Sequence, residues 1–343
     1  MITFDFVIIK KNFCLAPFNT FGIEVLAKSL SMITSTGDLE QLHKASKLKG
    51  RVLVLGEGSN ILFTEDYEGL VLLNQMWGKK IIKESEQHIY LKVNAGEFWP
   101  SLVEYAVENG WGGLENMTDI PGKVGAAPIQ NIGAYGAEIK DVMESLEAFN
   151  LDSGKVETFS NKDCKFSYRT SIFKTELKHK YFITSVTFKL SKQHSLNISY
   201  KPLFEAFRDK NIDDITIADV SSEVAKIRAS KLPNPDNLRN AGSFFKNPVI
   251  SKDKFNEIKL SYPDIPNYHL VNGDYKVPAA WLIEQCGWKG KRQGNIGVHE
   301  KQALVIVKYG IASGNEIKQL ADSIKNSISK KFNVELEMEV NIL

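Results

Sequence analysis

Apolar and polar residues recur with two periods along this chain, which predicts both strands and helices. Residues 51–63 read RVLVLGEGSNILF, an apolar run, a glycine turn and a second apolar run, so strand, turn and strand are expected. Residues 89–93 predict another short strand. The opening residues MITFDFVIIKKNF predict an initial strand, because Asp5 interrupts the apolar run and the lysines follow it, the reverse of a signal peptide.

Four segments have the apolar period of amphipathic helices. We expect them to begin at Pro100, at Asp219 as N-cap, at Pro278, and at a capping box formed by Ser313 and Glu316. The expected inward-facing residues are Leu102, Val103, Ala106 and Val107 in the first, Val220, Val224 and Ile227 in the second, Trp281, Leu282 and Cys286 in the third, and Ile317, Leu320, Ala321, Ile324 and Ile328 in the last.

The chain closes with NVELEMEV, residues 333–340, in which apolar residues alternate with glutamates. Because side chains alternate between the two faces of a strand, this pattern predicts a closing strand with one apolar and one acidic face. An acidic face is usually only solvated, so Glu339 becomes a candidate site residue only in combination with other residues.

Composition sets the class of protein and excludes several functions. A chain of 343 residues, 43% hydrophobic and 24% charged, predicts a globular protein of two or three domains. A formal net charge of +2 gives no field for nucleic acid, and no apolar run is long enough for a membrane span. Three widely spaced cysteines and six histidines show no ligand spacing, so we expect a reducing, cytoplasmic location and no metal.

Two glycine-rich loops are candidates for holding an anionic ligand. LGEGSN, residues 55–60, follows an apolar strand, although alone it favours an ordinary hairpin turn. GGLENMTDIPGKVGAAPIQNIGAYG, residues 112–136, has many glycines and little charge, which is typical of an ordered loop around a large ligand. Gln130 and Asn131 offer donor and acceptor pairs for the edge of a heterocycle. Together the loops fit a long, flat, anionic ligand such as FAD.

Several single residues could do chemistry, and each also has an ordinary structural explanation. Arg169, next to Tyr168, offers a planar fork for a carboxylate or lies over a hydrophobic rim. Ser243, in NAGSFFKNP, could deliver a proton or cap a tight turn. Arg228 and Lys231 are three residues apart on a predicted helix and can reach one anion, or are simply exposed.

The motifs FNTFGIE (18–24), LGEGSNILF, GLENMTDIPGKVGAAPIQNIGAYG, CKFSYRTSIFK, KLPNP (231–235), AGSFFKNP and LEMEV occur in this order. In this series the chain resembles the UDP-N-acetylenolpyruvoylglucosamine reductase (MurB) family from about Phe18 to Val340. Tyr200 lies in an insertion before the substrate domain, and in this feature the chain resembles the longer, type I members of the family. AGSFFKNP and the IPG…PIQNIGAYG loop are the specific motifs.

The resemblance implies an α+β fold with a two-part FAD-binding region of the vanillyl-alcohol-oxidase/PCMH type plus a separate α/β substrate-binding domain. The expected parts are residues 1–75 and 76–212 for the two FAD-binding subdomains, 213–330 for the substrate domain and 331–343 for the closing strand. It implies a non-covalent FAD and NADPH-dependent reduction of UDP-N-acetylglucosamine enolpyruvate to UDP-N-acetylmuramate, in peptidoglycan precursor synthesis, by a monomer.

The resemblance also assigns roles to residues. The implied catalytic residues are Arg169, Ser243 and Glu339. The implied substrate-binding residues are Tyr168, Tyr200, Arg228, Lys231 and Asn247. The implied FAD-binding residues are Gly56, Glu57, Gly58, Ser59, Asn60, Ile120, Pro121, Gly122, Gly125, Ala126, Gln130, Asn131, Gly133, Ala134, Tyr135 and Gly136. Two alternatives remain. The first is another flavin enzyme of the same superfamily, namely an oxidase that uses oxygen, and the second is a flavin-free sugar-nucleotide binding module.

Overall fold

The structure is a computed structural model that describes residues 7–343. Its strands are β1 Lys10–Cys14, β2 Leu26–Ile33, β3 Val52–Leu55, β4 Ile61–Leu62, β5 Tyr67–Asn74, β6 Lys79–Glu84, β7 His88–Asn94, β8 Gly133–Ala134, β9 Ala137–Glu138, β10 Met143–Asn150, β11 Val156–Ser160, β12 Tyr181–Ser191, β13 Arg239–Ser243, β14 Val249–Ile250, β15 Tyr268–His269, β16 Tyr275–Lys276, β17 Arg292–Gln293, β18 Ile296–Val298, β19 Val305–Lys308 and β20 Asn341–Ile342. Its helices are α1 Thr36–Lys44, α2 Trp99–Glu108, α3 Lys201–Phe207, α4 Ile217–Lys231, α5 Lys252–Ser261, α6 Ala279–Gln285 and α7 Gly314–Phe332.

The chain folds into two compact units, and each is described by itself. Unit 1 comprises Met1–Phe13, Ala27–Glu57 and Glu68–Ser230, and unit 2 comprises Cys14–Leu26, Gly58–Tyr67 and Lys231–Leu343. The predicted borders after residues 75, 212 and 330 stay a prediction. The later part of the predicted initial strand is present as β1. Residues 1–6 of that prediction lie outside the described residues.

Unit 1 contains two sheets. The first has the order β1-β2-β5-β3, with β3 and β5 parallel, and the second is a five-stranded sheet of order β11-β10-β12-β7-β6. Helix α2 covers the second sheet: Leu102, Val103 and Ala106 are buried in one cluster with Ile89 and Leu91 of β7. The predicted helix at Pro100 and the predicted strands at 51–63 and 89–93 are therefore confirmed.

The long glycine-rich loop of unit 1 is ordered, as the sequence predicts. It forms 3-10 turns at Glu115–Met117 and Val124–Gln130 and then the small hairpin of β8 and β9. Leu114, Met117 and Val124 are fully buried in the same cluster as α2. The loop is thus part of the hydrophobic core and its shape is set by packing.

A separate hydrophobic cluster of unit 1 joins α3 and α4. Helix α4 begins at Ile217, which is two residues before the N-cap that the sequence analysis expected. Thr216 is the capping residue: its hydroxyl accepts from the Asp219 N–H at 3.1 Å, and the Asp219 carboxylate accepts from the Thr216 N–H at 3.0 Å. The sequence Thr-x-x-Asp is therefore a reciprocal cap, in which Asp219 takes the third helical position.

Unit 2 is built on the sheet β13-β19-β18-β17, against which α7 packs, and on the small sheet β14-β16-β15. The last predicted helix is confirmed, with its capping box at Ser313 and Glu316 and all five predicted inward-facing residues buried. The third predicted helix is confirmed as α6, but its buried residues are Ala279, Leu282 and Ile283. Trp281 and Cys286 are only partly buried, because the helix is short and Cys286 is its C-cap.

The closing segment of unit 2 has the predicted alternation but not the predicted regular strand. Val334, Leu336 and Val340 are at most 4% exposed, whereas Glu335 and Glu337 are exposed. Its pairing before residue 341 is a single bridge from Met338 to Phe245, and the regular strand is β20, which pairs parallel to β4. Within residues 7–343, no helix is both long enough and apolar enough to cross a bilayer.

Candidate functional site

Lys123 connects the two glycine loops within unit 1. Its stem packs on Gly56, since a Cβ added there would lie 3.5 Å from the lysine Cβ. The side chain is buried, its ammonium donates to the Gly96 carbonyl at 2.9 Å, and it lies 4.2 Å from the Trp77 ring centre. Burial lowers the pKa of Lys123, and the nearby carboxylate of Glu57 opposes this shift. The sequence analysis missed this residue, because a lysine in a loop normally faces solvent.

Left-handed backbone is concentrated around the second loop. Asp119, Asn131, Tyr135 and Arg169 have φ of 58°, 49°, 49° and 54°. Each side chain other than asparagine or aspartate is strained in this conformation, and such residues cluster at functional sites. The strain at Arg169 and Tyr135 is consistent with the sequence-based choice of both residues but does not single them out, because Ser46, Lys165 and His179 also have left-handed φ.

Arg169 is tied to the second loop. A terminal nitrogen of its guanidinium donates to the Gly133 carbonyl at 2.8 Å, and the guanidinium carbon lies 5.6 Å from the Tyr168 ring centre. Gly133 itself has no space for a side chain, because an added Cβ would lie 2.5 Å from the Ala137 carbonyl oxygen. The close β8–β9 turn thus places the carbonyl that orients the arginine.

Three predicted residues meet beside α3 and α4 in unit 1. The rings of Tyr135 and Tyr200 pack edge to face with centres 5.3 Å apart. Arg228 donates to the Asp119 carbonyl at 3.1 Å. Burial lowers the pKa of the Arg228 guanidinium, and burial raises the pKa of the Tyr135 hydroxyl, while the arginine charge opposes the latter shift. The structure therefore brings together residues predicted for FAD and residues predicted for substrate.

The Asn131 side chain, which was predicted to contact FAD, is enclosed by the protein. The Asn131 side chain is 0% exposed, and its amide nitrogen donates to a Glu138 carboxylate oxygen at 2.9 Å and to the Ser167 carbonyl at 3.1 Å. Its oxygen accepts from the Lys140 N–H at 3.2 Å. A fully enclosed amide cannot reach the edge of a heterocycle, so this side chain shapes the loop. Gln130 is partly exposed and accepts from Lys174 at 3.1 Å.

In unit 2, the turn before Ser243 is held by a buried amide that the sequence analysis missed. The Asn240 side chain accepts from the Gly242 N–H at 2.9 Å and donates to the carbonyls of Pro233 and Leu238 at 3.2 and 2.8 Å. Asn240 is 2% exposed, so these bonds are shielded from water. The irregular pairing of β13 with β19 between Asn240 and Ser243 then directs the serine.

A short ladder in unit 2 joins the segment that contains Ser243 to the segment that contains Glu339. Phe244 donates its N–H to the Leu304 carbonyl at 2.8 Å, and its own carbonyl accepts from the Glu339 N–H at 2.8 Å. Phe244 and Phe245 are at most 1% exposed, so they anchor the residue that precedes them. The proposed proton donor and the proposed carboxyl thus lie on neighbouring extended segments, and Glu339 is only partly exposed, unlike Glu335 and Glu337.

The end of the first glycine loop supports the same region of unit 2. The Asn60 amide donates to the Glu339 carbonyl at 3.3 Å, and the Asn60 carbonyl accepts from the Asn341 N–H at 3.1 Å. At Gly58 an added Cβ would lie 2.1 Å from the Phe18 carbonyl oxygen, which explains why the FNTFGIE motif accompanies this loop. Asn60 therefore has a structural contact in addition to its predicted role with FAD.

The two remaining predicted residues of unit 2 lie apart along the chain. The Asn247 side-chain oxygen accepts from the Ala279 N–H at 2.9 Å, at the start of α6. Lys231 is the exposed last residue of α4.

The donor chemistry of unit 1 fits an anionic dinucleotide such as FAD. The loop neighbourhood presents cationic side chains at Lys123 and Arg228, both desolvated by the protein. Within the described residues, the buried Nε of Arg228 has no hydrogen-bond partner, so a donor is present for an oxygen-rich ligand. Within the same residues, no group of three or more His, Cys, Asp or Glu is arranged for a metal ion.

Comparison with known proteins gives consistent matches. Residues 30–160 match the family described as FAD binding domain, and residues 234–343 match UDP-N-acetylenolpyruvoylglucosamine reductase, C-terminal domain. The UDP-N-acetylenolpyruvoylglucosamine reductases of Flavobacterium johnsoniae and Amoebophilus asiaticus are 45% and 46% identical to this chain, each over 98% of it and 99% of the relative. The crystal structure of the Thermus caldophilus enzyme of that name superposes with a TM-score of 0.70 at 22% identity, and the match covers 98% of this chain and 99% of that one.

Proposed function

Since the chain belongs to the UDP-N-acetylenolpyruvoylglucosamine reductase family, we infer that it is an FAD-containing, NADPH-dependent oxidoreductase. It reduces UDP-N-acetylglucosamine enolpyruvate to UDP-N-acetylmuramate, a step in peptidoglycan precursor synthesis. The fold class implied by the sequence resemblance is confirmed by the structural match. The geometric observation that best supports this function is the ladder in unit 2 that joins the segment of Ser243 to the segment of Glu339.

The chemistry that FAD supplies when bound is hydride transfer, from NADPH to the terminal carbon of the enolpyruvyl group. We propose that Gly56, Glu57, Gly58, Ser59, Asn60 and the exposed parts of residues 120–136 hold the cofactor. The buried Lys123 supports this role, because it joins Gly56 to the second loop and adds a positive charge near the loops.

For the substrate, we propose that the Arg169 guanidinium binds the enolpyruvyl carboxylate. We propose that Glu339, as a protonated carboxyl, donates a hydrogen bond that stabilises the negative charge developing there. The Ser243 hydroxyl donates a proton to the carbon next to the terminal one, which completes the lactyl ether. A serine hydroxyl is a weak acid, so this step requires a strongly basic enol and a site that excludes water. The apolar anchoring of Ser243 by Phe244 and Phe245 supports that requirement.

We also propose that Tyr168, Tyr200, Arg228, Lys231 and Asn247 bind the sugar nucleotide. The Tyr135–Tyr200 ring contact and the partner-free Nε of Arg228, judged over residues 7–343, support the assignment for unit 1. Each residue can be tested by the Michaelis constant for the sugar nucleotide, which should rise on truncation to alanine. A fall in the rate constant alone, at unchanged affinity, would contradict a binding role.

The test of the function separates the two halves of the reaction. Under anaerobic conditions NADPH should bleach the yellow protein, and the enolpyruvyl substrate should restore the colour. Ser243→Ala should still be bleached by NADPH, whereas the return of colour should slow by about 10²–10⁴-fold, the usual contribution of a positioned acid. If Ser243→Ala slows both halves equally, the proton-donor role is wrong. If the wild-type colour returns only with oxygen, the oxidase alternative holds.

We propose further that the enzyme acts as a monomer in the cytoplasm. All three cysteines are free thiols, which suits a reducing compartment. Light scattering coupled to gel filtration checks the oligomeric state, and cell fractionation checks the location. A dimer mass or recovery from the periplasm would contradict the proposal.

A further inference from the structure

Lys246 and Glu337 form an ion pair at the end of the ladder that positions the proposed proton donor and carboxyl. The Lys246 Nζ lies 2.5 Å from the Glu337 Oε1, and both residues belong to unit 2. The lysine side chain is only 14% exposed, while that of the glutamate is 70% exposed. A backbone hydrogen bond joins the same two residues, because the Lys246 N–H donates to the Glu337 carbonyl at 2.9 Å.

The ladder beside this pair is very short. It is one antiparallel bridge, Phe245 opposite Met338, made by two backbone bonds: the Lys246 N–H donates to the Glu337 carbonyl and the Glu339 N–H donates to the Phe244 carbonyl. Regular strands in proteins are usually longer, so few backbone bonds fix the alignment here. A side-chain contact at one end therefore adds to the burial of Val334, Leu336 and Val340 and to the β20–β4 pairing in holding the segment in place.

The sequence of the closing segment makes this alignment vulnerable. Glutamate occurs at every second position, in Glu335, Glu337 and Glu339, with an apolar or thioether residue between. When a strand pattern repeats with period two, a slip by two residues preserves which face is buried, so burial alone specifies the register poorly. A slip would put a different glutamate opposite Phe244. Specific polar contacts must therefore select the observed alignment.

We propose that Lys246, through its ion pair with Glu337, is a positioning residue that works with the Asn60–Asn341 contact to hold Glu339 beside Ser243. Asn60 fixes the far end of the segment through its bonds to Glu339 and Asn341. Lys246 fixes the near end, because its side chain is largely buried and its ammonium reaches a carboxylate on the adjacent segment. Neither Lys246 nor Glu337 needs to touch substrate in this role, which rests on the proposed function of the site.

The chain offers a closely matched control. Lys254 and Glu257 of α5 form an ion pair at 3.0 Å, with side chains 16% and 68% exposed, and both residues belong to unit 2. The pair lies within one helix and does not bridge two segments. Lys254→Met removes a lysine of the same burial and the same charge, so it reports the general cost of such a change.

The experiment measures register and function separately. In hydrogen–deuterium exchange, the Glu339 amide should exchange at least about tenfold faster in Lys246→Met and in Glu337→Gln than in wild type, and no faster in Lys254→Met. Colour return with the enolpyruvyl substrate should slow about 10- to 100-fold in the first two variants, since a shift near 1 Å has such effects. Bleaching by NADPH should stay within about threefold of wild type.

Two further variants test the pair itself. Lys246→Arg should restore both readouts, because arginine keeps the charge and the reach. The double variant K246M/E337Q should be no slower than the slower single variant, since the two changes break one contact. Glu337 is exposed, so Glu337→Gln will fold even if Lys246→Met does not.

The outcomes distinguish a failure of the proposed function from a failure of the positioning role. If wild-type colour does not return with the enolpyruvyl substrate, the proposed function fails, and the exchange data still test the ion pair. If wild-type colour returns but Lys246→Met and Glu337→Gln behave like Lys254→Met, the positioning role is wrong. Additive effects in the double variant would also overturn it.

Discussion

The two units hold their proposed site residues by different means. In unit 1, Arg169 and Tyr135 lie on left-handed backbone and depend on close packing and on carbonyls such as that of Gly133. In unit 2, Ser243 and Glu339 lie on extended segments whose alignment depends on a short ladder. The first arrangement leaves little space for added atoms, and the second leaves little tolerance for a shift of one segment along the other.

This difference predicts different responses to substitution. Where packing and strain fix a side chain, an added methyl group is costly because backbone atoms must move. Where a short ladder between two segments fixes a side chain, an added methyl group has little effect unless it alters the backbone conformation. Loss of a contact at the end of the ladder instead changes the register of the two segments. The predictions that follow test this contrast, from the largest expected effect to the smallest.

The largest effect is expected for Arg169→Lys in unit 1. Lysine keeps the charge but loses the planar fork, so it cannot both donate to the Gly133 carbonyl and grip a carboxylate with two parallel bonds. We expect colour return with the enolpyruvyl substrate to slow by about 10²-fold or more, while bleaching by NADPH persists. Stopped-flow absorbance measures both. Near wild-type rates would show that the fork is not needed.

Gly133→Ala tests the packing side of the contrast. Its methyl group would meet the Ala137 carbonyl oxygen at 2.5 Å, so the β8–β9 turn must shift. We expect a loss of about 2–3 kcal/mol in the free energy of unfolding. FAD binding should weaken as well, because the shift displaces residues predicted to hold it. Urea unfolding and FAD titration check these effects, and an unchanged midpoint would contradict the packing argument.

Gly242→Ala is the counterpart in unit 2. Its φ is +69°, but an added Cβ meets nothing within 4 Å. The expected cost is therefore only that of left-handed backbone, about 1 kcal/mol in the free energy of unfolding. The same urea experiment measures it. A cost equal to that of Gly133→Ala would remove the distinction between the two units.

The smallest effect concerns the rates at which the cysteine thiols react with a labelling reagent. These rates measure how well each unit buries its thiols and require no substitution. Cys164 of unit 1 is fully buried, and burial raises the pKa of its thiol to about 12. At pH 8 almost none of it is thiolate, so a thiol reagent should label exposed Cys14 quickly and Cys164 only after unfolding. Partly buried Cys286 of unit 2 should react at an intermediate rate. Mass spectrometry of peptides gives the order, and early labelling of Cys164 would contradict it.

Much of the fold could be predicted because its signals are local. The capping box of Ser313 and Glu316, with the apolar period behind it, specifies α7 from neighbouring residues alone. The alternation of Val334, Leu336 and Val340 gave the buried face of the closing segment. Its pairing was harder to predict, because a partner strand can lie anywhere in the sequence, and the regular part proved to be only β20.

The site could be predicted only in part, for the same reason. Motif resemblance gave Arg169, Ser243 and Glu339, whereas the residues that place them were missed. Asn240 and Lys246 lie inside or beside a motif that was noticed, but nothing local distinguishes a buried clamp from a solvated side chain. Asn131 shows the converse case: the sequence presents it as an amide in a candidate binding loop, whereas in the structure its side chain is bonded to Glu138 and Ser167.

The pairing of β4 with β20 has a consequence for synthesis of the protein. Asn60 contacts Asn341, which follows it by 281 residues. At roughly 5–20 residues per second, a ribosome needs about a quarter of a minute to a minute to make the intervening chain. During that interval the first glycine loop has emerged but cannot make its contact with the closing segment. The nascent chain therefore lacks the contact between the first glycine loop and the closing segment until residue 341 has been made.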